Sequence, residues 1–471
     1  MSTDAGTRRG RARRRRSRAF FIAFVAVVAV LAIAGLVGAA VTIAQGPRVT
    51  RTSVDPAAAI DNPGSRIIFT TTQSLAKVSP EQVTVTPATT VTVDTSGRSV
   101  GIRFAQPLWD DTEYTVTITG VTGVGGGPAL TITKSFLTPA LDSYVLRRGT
   151  GGDTVFRTDL QGDAAVPVFS DRQIEDFRAT SSHLVVSTLD TDGHSHLTVT
   201  DLDGTHPREL PLPGTGTVTN LQSADRGNLI GYTFTDATVG KAGARESLLF
   251  TASLVEAQKD TEPTVVERSG GESRVDDWRF VPGTDTILML TFDGALTLVS
   301  PSGAAPVALG NAVSIDGIAR GSTTVVVERV DGPAAIDLAT AKEVPLPPTQ
   351  PALGQVNTVT PLADGGTLRT LAIVDGFTVR STTVHIVDAS GAARPVFSIA
   401  PADTLLETCV SPSGRYAAFL IAPNAVDNPY DAHLLPLPQN VQTHIVSLAD
   451  GKDVVALNGF DISWCQAPPR V

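Results

Sequence analysis

Two hydrophobic patterns divide this chain. The first is one unbroken run, Ala19 to Ala44, reading AFFIAFVAVVAVLAIAGLVGAAVTIA without a charged side chain. Its 26 residues exceed the roughly 20 that a helix needs to cross a bilayer. The second pattern starts at Arg66 and continues to the end of the chain. It consists of short runs of Val, Ile, Thr and Phe at period two, broken by Gly, Pro and Asp. Such alternation predicts half-buried strands of antiparallel sheets. No helical period of useful length follows the apolar run. The predicted fold class is therefore all-β, behind an N-terminal transmembrane helix at 19–45.

The β part has two textures. Residues 66–139 read RIIFTT, EQVTVTP, TVTVDTSG, SVGIRF, EYTVTITGV and LTITKSFLTP, the runs of a β-sandwich. Residues 46–65, rich in Pro, Ala, Asp and Asn, predict a short stalk before it. From Ser143 a strand-rich unit recurs, with starts near Ile174, Val218, Val275, Ser314, Val356 and Leu405. Repeats of this length with several strands each predict propeller blades. Asp203-Gly204, Asp293-Gly294 and Asp450-Gly451 are hairpin signals. The first unit, Ser143 to Ser170, reads one strand short, and a surplus segment, Gly459 to Cys465, follows the last. The predicted β-propeller, residues 143–471, thus has about seven blades and is closed by its C-terminal strand, which leaves no open sheet edge.

Charge assigns the compartment. Arg8, Arg9, Arg11, Arg13, Arg14, Arg15, Arg16 and Arg18 form a basic tail, 1–18, before the apolar run. Only Arg48 and Arg51 follow closely behind it. The positive-inside rule places the N-terminus in the cytoplasm and the bulk outside, as a single-pass signal-anchor of the cell membrane. The core is too long for a cleaved signal peptide. Beyond residue 18 the chain holds 29 basic and 46 acidic side chains, a net of −17, which excludes nucleic acid as a bulk-charge partner. The two cysteines, Cys409 and Cys465, occupy matching positions of consecutive units, Thr408-Cys409-Val410-Ser411-Pro412 and Trp464-Cys465-Gln466-Ala467-Pro468. An extracytoplasmic compartment lets them pair as a disulfide latching the ring.

Two family resemblances accompany this reading. Pro107-Leu108, Thr112-Glu113-Tyr114-Thr115-Val116 and Ser135-Phe136-Leu137-Thr138-Pro139 resemble the bacterial Ig-like domain of S-layer and other envelope proteins. The turn Val124-Gly125-Gly126-Gly127-Pro128 lacks the Asp and Asn often found there. The resemblance implies a spacer or interaction module. Ser411-Pro412-Ser413-Gly414-Arg415-Tyr416-Ala417-Ala418-Phe419, with a weaker copy at Val281-Pro282-Gly283-Thr284-Asp285, resembles the WD-like propeller repeat of the TolB type. It implies a fold and a binding habit rather than a reaction. The residue usage points to an actinobacterial genome.

Catalytic signatures are missing from the sequence. There is no Gly-x-Ser-x-Gly elbow, Walker loop, dinucleotide fingerprint or His-Glu-x-x-His helix, and no cofactor or metal is predicted. Asp190-Thr191-Asp192-Gly193-His194-Ser195-His196 has alternating carboxylates, but a hairpin tip explains it. Asp110, Asp111 and Glu113 read as a solvated turn. Function points instead to loop length. The connection between the second and third strands of a unit is long at Asp190 to Ser195, longer at Asp236 to Glu246 and longest at Ala422 to Gln439. Long loops on one face of a rigid scaffold are where binding resides. The candidate contact residues are Asn424, Asp427, Asn428, Tyr430 and His433, with Lys241, Arg245 and His194. The expected function is an extracytoplasmic scaffold binding a protein or envelope component. The rival is a propeller enzyme acting on glycan or peptide substrates at the axis. Proteolysis of intact protoplasts should remove the bulk of the chain, and full protection would reverse the orientation.

Overall fold

The computed structural model describes residues 6–469 except 62, 226, 227, 269, 302 and 377; the side chains of 6–17, 39 and 61 are also outside the described set, those of Arg13, Arg14, Arg15 and Arg16 among them. Helix α1, Gly6–Gln45, runs through most of the basic tail as well as the apolar run. Within its stretch Arg18–Gln45 an 18-residue window has a mean hydropathy of 3.0 and no buried residue, and the stretch is long and apolar enough to cross a membrane. Gly46, at φ +70°, ends it: its N–H bonds back to the Ile43 carbonyl at 3.1 Å, a left-handed cap that glycine adopts freely.

The chain forms two compact units. In the first, Val49–Ser53, Arg66–Thr71, Ser99–Phe104 and Val91–Ser96 make one sheet, and Val83–Thr86, Glu113–Gly123 and Gly126–Leu137 make a second. Alternation buries Ile67 and Phe69, then Val100, Ile102 and Phe104, on one side. Phe104 meets Phe136 across the two sheets at 6.3 Å, and Tyr114 stacks on Phe136 at 6.0 Å. Residues 46–65 are not the expected stalk. Val49–Ser53 pairs with Arg66–Thr71, and helix α2, Pro56–Asp61, belongs to the second unit. Ala59 and Ile60 are buried there, and two apolar side chains are too few to show a period. Asp110 also departs from expectation. It is buried, 3.6 Å from Arg415, and burial raises its pKa against that guanidinium.

Among the described residues the second unit shows seven antiparallel sheets in chain order. The first has three strands, Ser143–Arg147, Asp153–Thr158 and Val166–Asp171, and each of the others has four. The first strands of sheets two to seven begin at Ile174, Gly216, Val275, Ser314, Gln355 and Thr404, within two residues of the starts read from the pattern. These strands lie side by side, the arrangement of a β-propeller. The three-stranded sheet takes its missing neighbour from the C-terminus. Leu146 and Phe460 exchange backbone hydrogen bonds of 3.0 and 2.9 Å, and the Ser463 N–H reaches the Tyr144 carbonyl at 2.9 Å.

Sheets pack face to face on their neighbours. Val185 and Leu197 of the second sheet share a core with Ile230 and Tyr232 of the third. Trp278 of the fourth is fully buried against Gly231, where a Cβ would stand 2.5 Å from the indole. Val145 of the first sheet and Leu160 in the connection after its second strand meet Ile445 and Leu457 of the seventh, with Ile60, Ile462 and Trp464 in the same cluster. Cys409, in strand Thr404–Val410, and Cys465 form a disulfide with Cα atoms 5.2 Å apart, across 56 residues. On the chain-entropy model a loop of that length contributes about 4 kcal/mol. The Cys409→Ser/Cys465→Ser variant should lose about that much in a denaturant titration under oxidising conditions and match the reduced wild type. An unchanged midpoint would remove the latch.

Candidate functional site

A β-bulge interrupts each first strand of sheets two to seven: at Ile174/Asp176, Thr219/Gln222, Val275/Asp277, Ile315/Gly317, Val356/Thr358 and Leu405/Glu407. Bulges re-aim side chains, commonly next to sites. Strand Ile174–Ala179 is accordingly buried at nearly every position instead of alternating. Polar groups that alternation would send to solvent converge between the strands. Arg178 is the hub. Its Nη1 lies 3.2 Å from Asp176 and 2.6 Å from Asp461, and donates to the Phe177 carbonyl; its Nε donates to the Leu221 carbonyl at 2.7 Å. Burial opposes its charge, but Asp176 and Asp461 hold the pKa above the ordinary value. Burial drives Asp176 well above the usual carboxylate range, with Arg178 pulling the other way. Arg279 Nη1 bonds Asp277 and the Trp278 carbonyl, and Gln222 bonds that same carbonyl at 2.6 Å.

Beside this cluster is a cavity of about 250 Å³, with Arg279, Asp316, Thr358, Glu407, Thr408 and Trp464 in its wall. Burial, with the charge of Arg178, lowers Arg279 to about 10 although Glu407 and Asp316 oppose the fall. Burial pushes Asp316 up to about 6. Glu407 is raised well above its ordinary value, first by burial and then by Asp461 and Asp176, while Arg178 and Arg279 pull it down. None of these central residues was singled out from the sequence. Arg178 and Asp461 are 283 residues apart, and no spacing announces such a pair.

The long loops leave the other end of the sheets, opposite the turns that join first to second strands. The loop after strand Tyr416–Ala422 is clamped down. Arg148 donates to Asp431 and to the Leu435 carbonyl, both at 2.9 Å, and to the Glu175 carbonyl at 3.0 Å. His433 Nε2 meets Asp153 at 2.8 Å, and the Leu434 N–H donates to Glu175 at 2.9 Å. Asn428 is buried and bridges the loop's two legs through the Pro423 and Asn440 carbonyls. Asn428 and His433, expected on the contact surface, are therefore parts of the clamp. Arg245 likewise pairs with Asp236 of its own loop at 2.7 Å. Asn424, Asp427, Tyr430 and Lys241 are exposed, and His194 is half-exposed. Asp190 Oδ1 accepts the Asp192 and His194 N–H groups at 2.8 and 2.9 Å, the bonds of a tight turn.

Sequence reasoning missed the apolar members of this end. Val239, Phe292, Val330, Ile373 and Val426 sit on or beside the connection between second and third strands in sheets three to seven. All are exposed, Val330 at 94% and Val426 at 97%, with Tyr430 and Leu434 alongside. Among the described residues, no turn between first and second strands exposes a large apolar side chain. The signal was present in the sequence, as single apolar residues within hairpin tips.

No family model and no curated protein matches the chain. Similar solved structures include the β-propeller domain of Cps50 (Swd1) from Myceliophteria thermophila, 13% identical at a TM-score of 0.39 over 61% of this chain and 88% of that one. An oligogalacturonate lyase in complex with manganese is 11% identical at a TM-score of 0.45, over 85% and 97%. A protein described as TolB, from Agrobacterium tumefaciens, is 13% identical at 0.32, over 68% and 89%. Likeness this slight adds nothing to the strand pairing, on which the fold rests.

The His433 clamp carries a pH signature. Burial opposes the imidazolium, but Asp153 and Asp431 outweigh it and raise the pKa from 6.5 to about 9. Arg148 opposes the charge and Glu175 favours it. A raised folded-state pKa stabilises fully below the unfolded value near 6.5 and is lost as pH rises through about 9. Limited proteolysis within residues 423–441 should therefore accelerate between neutral pH and pH about 9.5, and His433→Gln should abolish that dependence. A pH-independent wild-type rate would dismiss the clamp.

Proposed function

We propose that this chain is a single-pass, membrane-anchored scaffold of the cell envelope whose propeller binds a protein partner. The carrying observation is the asymmetry between the two ends of the sheets. Five successive sheets expose an apolar side chain at one end, and among the described residues the turns between first and second strands at the other expose no large one. Exposed apolar groups gathered on one face mark interaction sites. The clamp on residues 423–441 favours binding further, because a loop already ordered loses less entropy on association.

In this reading α1 is the anchor, with the arginines inside and residues 46–471 outside. The 66–139 sandwich acts as an Ig-like spacer. The seven sheets form a seven-bladed ring over 143–471, the Gly459–Cys465 segment supplying the inner strand of the first blade. The exposed apolar α1 and the Cys409–Cys465 disulfide support an extracytoplasmic setting. Asn424, Asp427, Tyr430, Lys241 and His194 join the apolar residues as the polar part of the contact face.

The face is tested by a Phe292→Ser/Val330→Ser/Val426→Ser variant, compared with wild type by cross-linking in intact cells. Folding should change little, since each side chain is exposed. Capture of the partner should fall by about tenfold or more, as for loss of apolar anchors. Equal capture by the variant would move the interface elsewhere.

A further inference from the structure

We propose that the central cavity of the second unit binds a small primary amine, its ammonium group held between the carboxyls of Asp316 and Glu407. The argument starts from charge. Five carboxyl groups, Asp176, Asp277, Asp316, Glu407 and Asp461, share the cluster with two guanidinium groups, Arg178 and Arg279. Asp176 and Asp461 lie against Arg178, and Asp277 lies against Arg279. The two carboxyls left over are Asp316 and Glu407, and both are in the cavity wall. Neither makes a salt bridge among the described residues, whereas three carboxyls deeper in the cluster each do. Burial raises the pKa of both, the direction expected for carboxyls without a paired cation. An entering cation supplies the missing charge and favours the ionised form of both carboxyls.

A second observation points to a ligand rather than to acidity alone. Trp464 is 4% exposed, and its indole Nε1 has no hydrogen-bond partner among the described residues. The Thr408 hydroxyl is buried without one as well. Both residues line this cavity, and a buried donor left unpaired is costly. The guanidinium of Arg279, also in the wall, is nine-tenths buried. The occupant therefore carries a hydrogen-bond acceptor besides its ammonium group. Ile315, Leu405 and Val359 provide an apolar wall for a short carbon frame. A volume of about 250 Å³ suits an amino acid, an amino sugar or the tip of a lysine side chain, which share this chemistry. A thiolate-bound metal does not fit, although Glu407 lies close to both sulfurs, because Cys409 and Cys465 are oxidised to a disulfide.

The site lies away from the loop face and does not depend on the reading of that face. Isothermal titration calorimetry on the full chain in detergent tests it, with L-lysine, D-glucosamine and an Nα-acetylated lysine amide as probes. D-glucose, glutarate and magnesium chloride are the controls. At least one amine should bind with one-to-one stoichiometry, the controls should not, and the amine that binds best identifies the source. The heat should vary with the buffer's ionisation enthalpy, because ionising the carboxyls releases protons. Glu407→Gln and Asp316→Asn should each weaken binding by about tenfold or more, the loss of one charge-assisted contact. Glu407→Gln should fold normally, since glutamine matches the side chain in shape and no salt bridge among the described residues is lost. If it does not fold, Asp316→Asn and the preference for glucosamine over glucose decide. Binding of glucose as tight as glucosamine, binding of magnesium alone, no amine binding, or unchanged affinity in the variants would overturn the proposal.

Discussion

The second unit depends on the return of one short segment, Gly459 to Cys465, to the sheet that begins at Ser143. Without it that sheet has three strands and an open edge, the template on which chains aggregate. The segment is secured by four kinds of interaction. Backbone hydrogen bonds tie Phe460 to Leu146. Asp461, held at φ +53°, places its carboxylate on Arg178. Phe460, Ile462 and Trp464 are buried, and the disulfide fastens Cys465 to the neighbouring sheet. Bringing together chain ends more than 300 residues apart has an entropic cost that grows only slowly with length, so a few local contacts suffice.

The same first strands that align the sheets create the central charges. Six bulges break the in-and-out alternation at corresponding positions, and acidic and basic side chains turn inward where Val or Ile would satisfy the core. Buried pairs such as Arg178–Asp461 are weak sources of stability, because desolvation offsets most of the attraction. Removing one partner is far worse than never having the pair. A cluster of this kind thus tolerates little change at Arg178 or Asp461. Asp316 and Glu407 have no such salt bridge among the described residues, and Asp316 accepts a hydrogen bond from the Ser314 hydroxyl instead.

The two ends of the sheets differ in how they treat water. The turns between first and second strands are short and polar, built from Asp, Gly and Ser with local hydrogen bonds. At the other end the connections range from tight hairpin tips, as between Arg329 and Gly332, to the 423–441 loop, and they carry or border exposed Val, Phe, Ile and Tyr. The longest is fixed by Arg148, Asp153 and Glu175, which belong to the first and second sheets. Residues remote in sequence thereby hold that loop in place.

The sequence alone determined what depends on near neighbours along the chain. The 26-residue apolar run dictates a helix able to span a membrane. Period-two alternation dictates strands, and its recurrence placed six first strands to within two residues. The matching contexts of Cys409 and Cys465 foretold their pairing, since both sit at one register of the repeat. Only the tertiary structure decided what depends on contacts across hundreds of residues. It moved Asn428 and His433 from a contact surface to a clamp, buried Ile60 of the supposed stalk, and paired Arg178 with Asp461 beside a cavity walled by Asp316 and Glu407. Periodicity reports the direction in which a side chain points from its own strand. It carries no information about which distant strand lies opposite, and that opposition settles whether a charge is solvated, paired or left waiting for a partner.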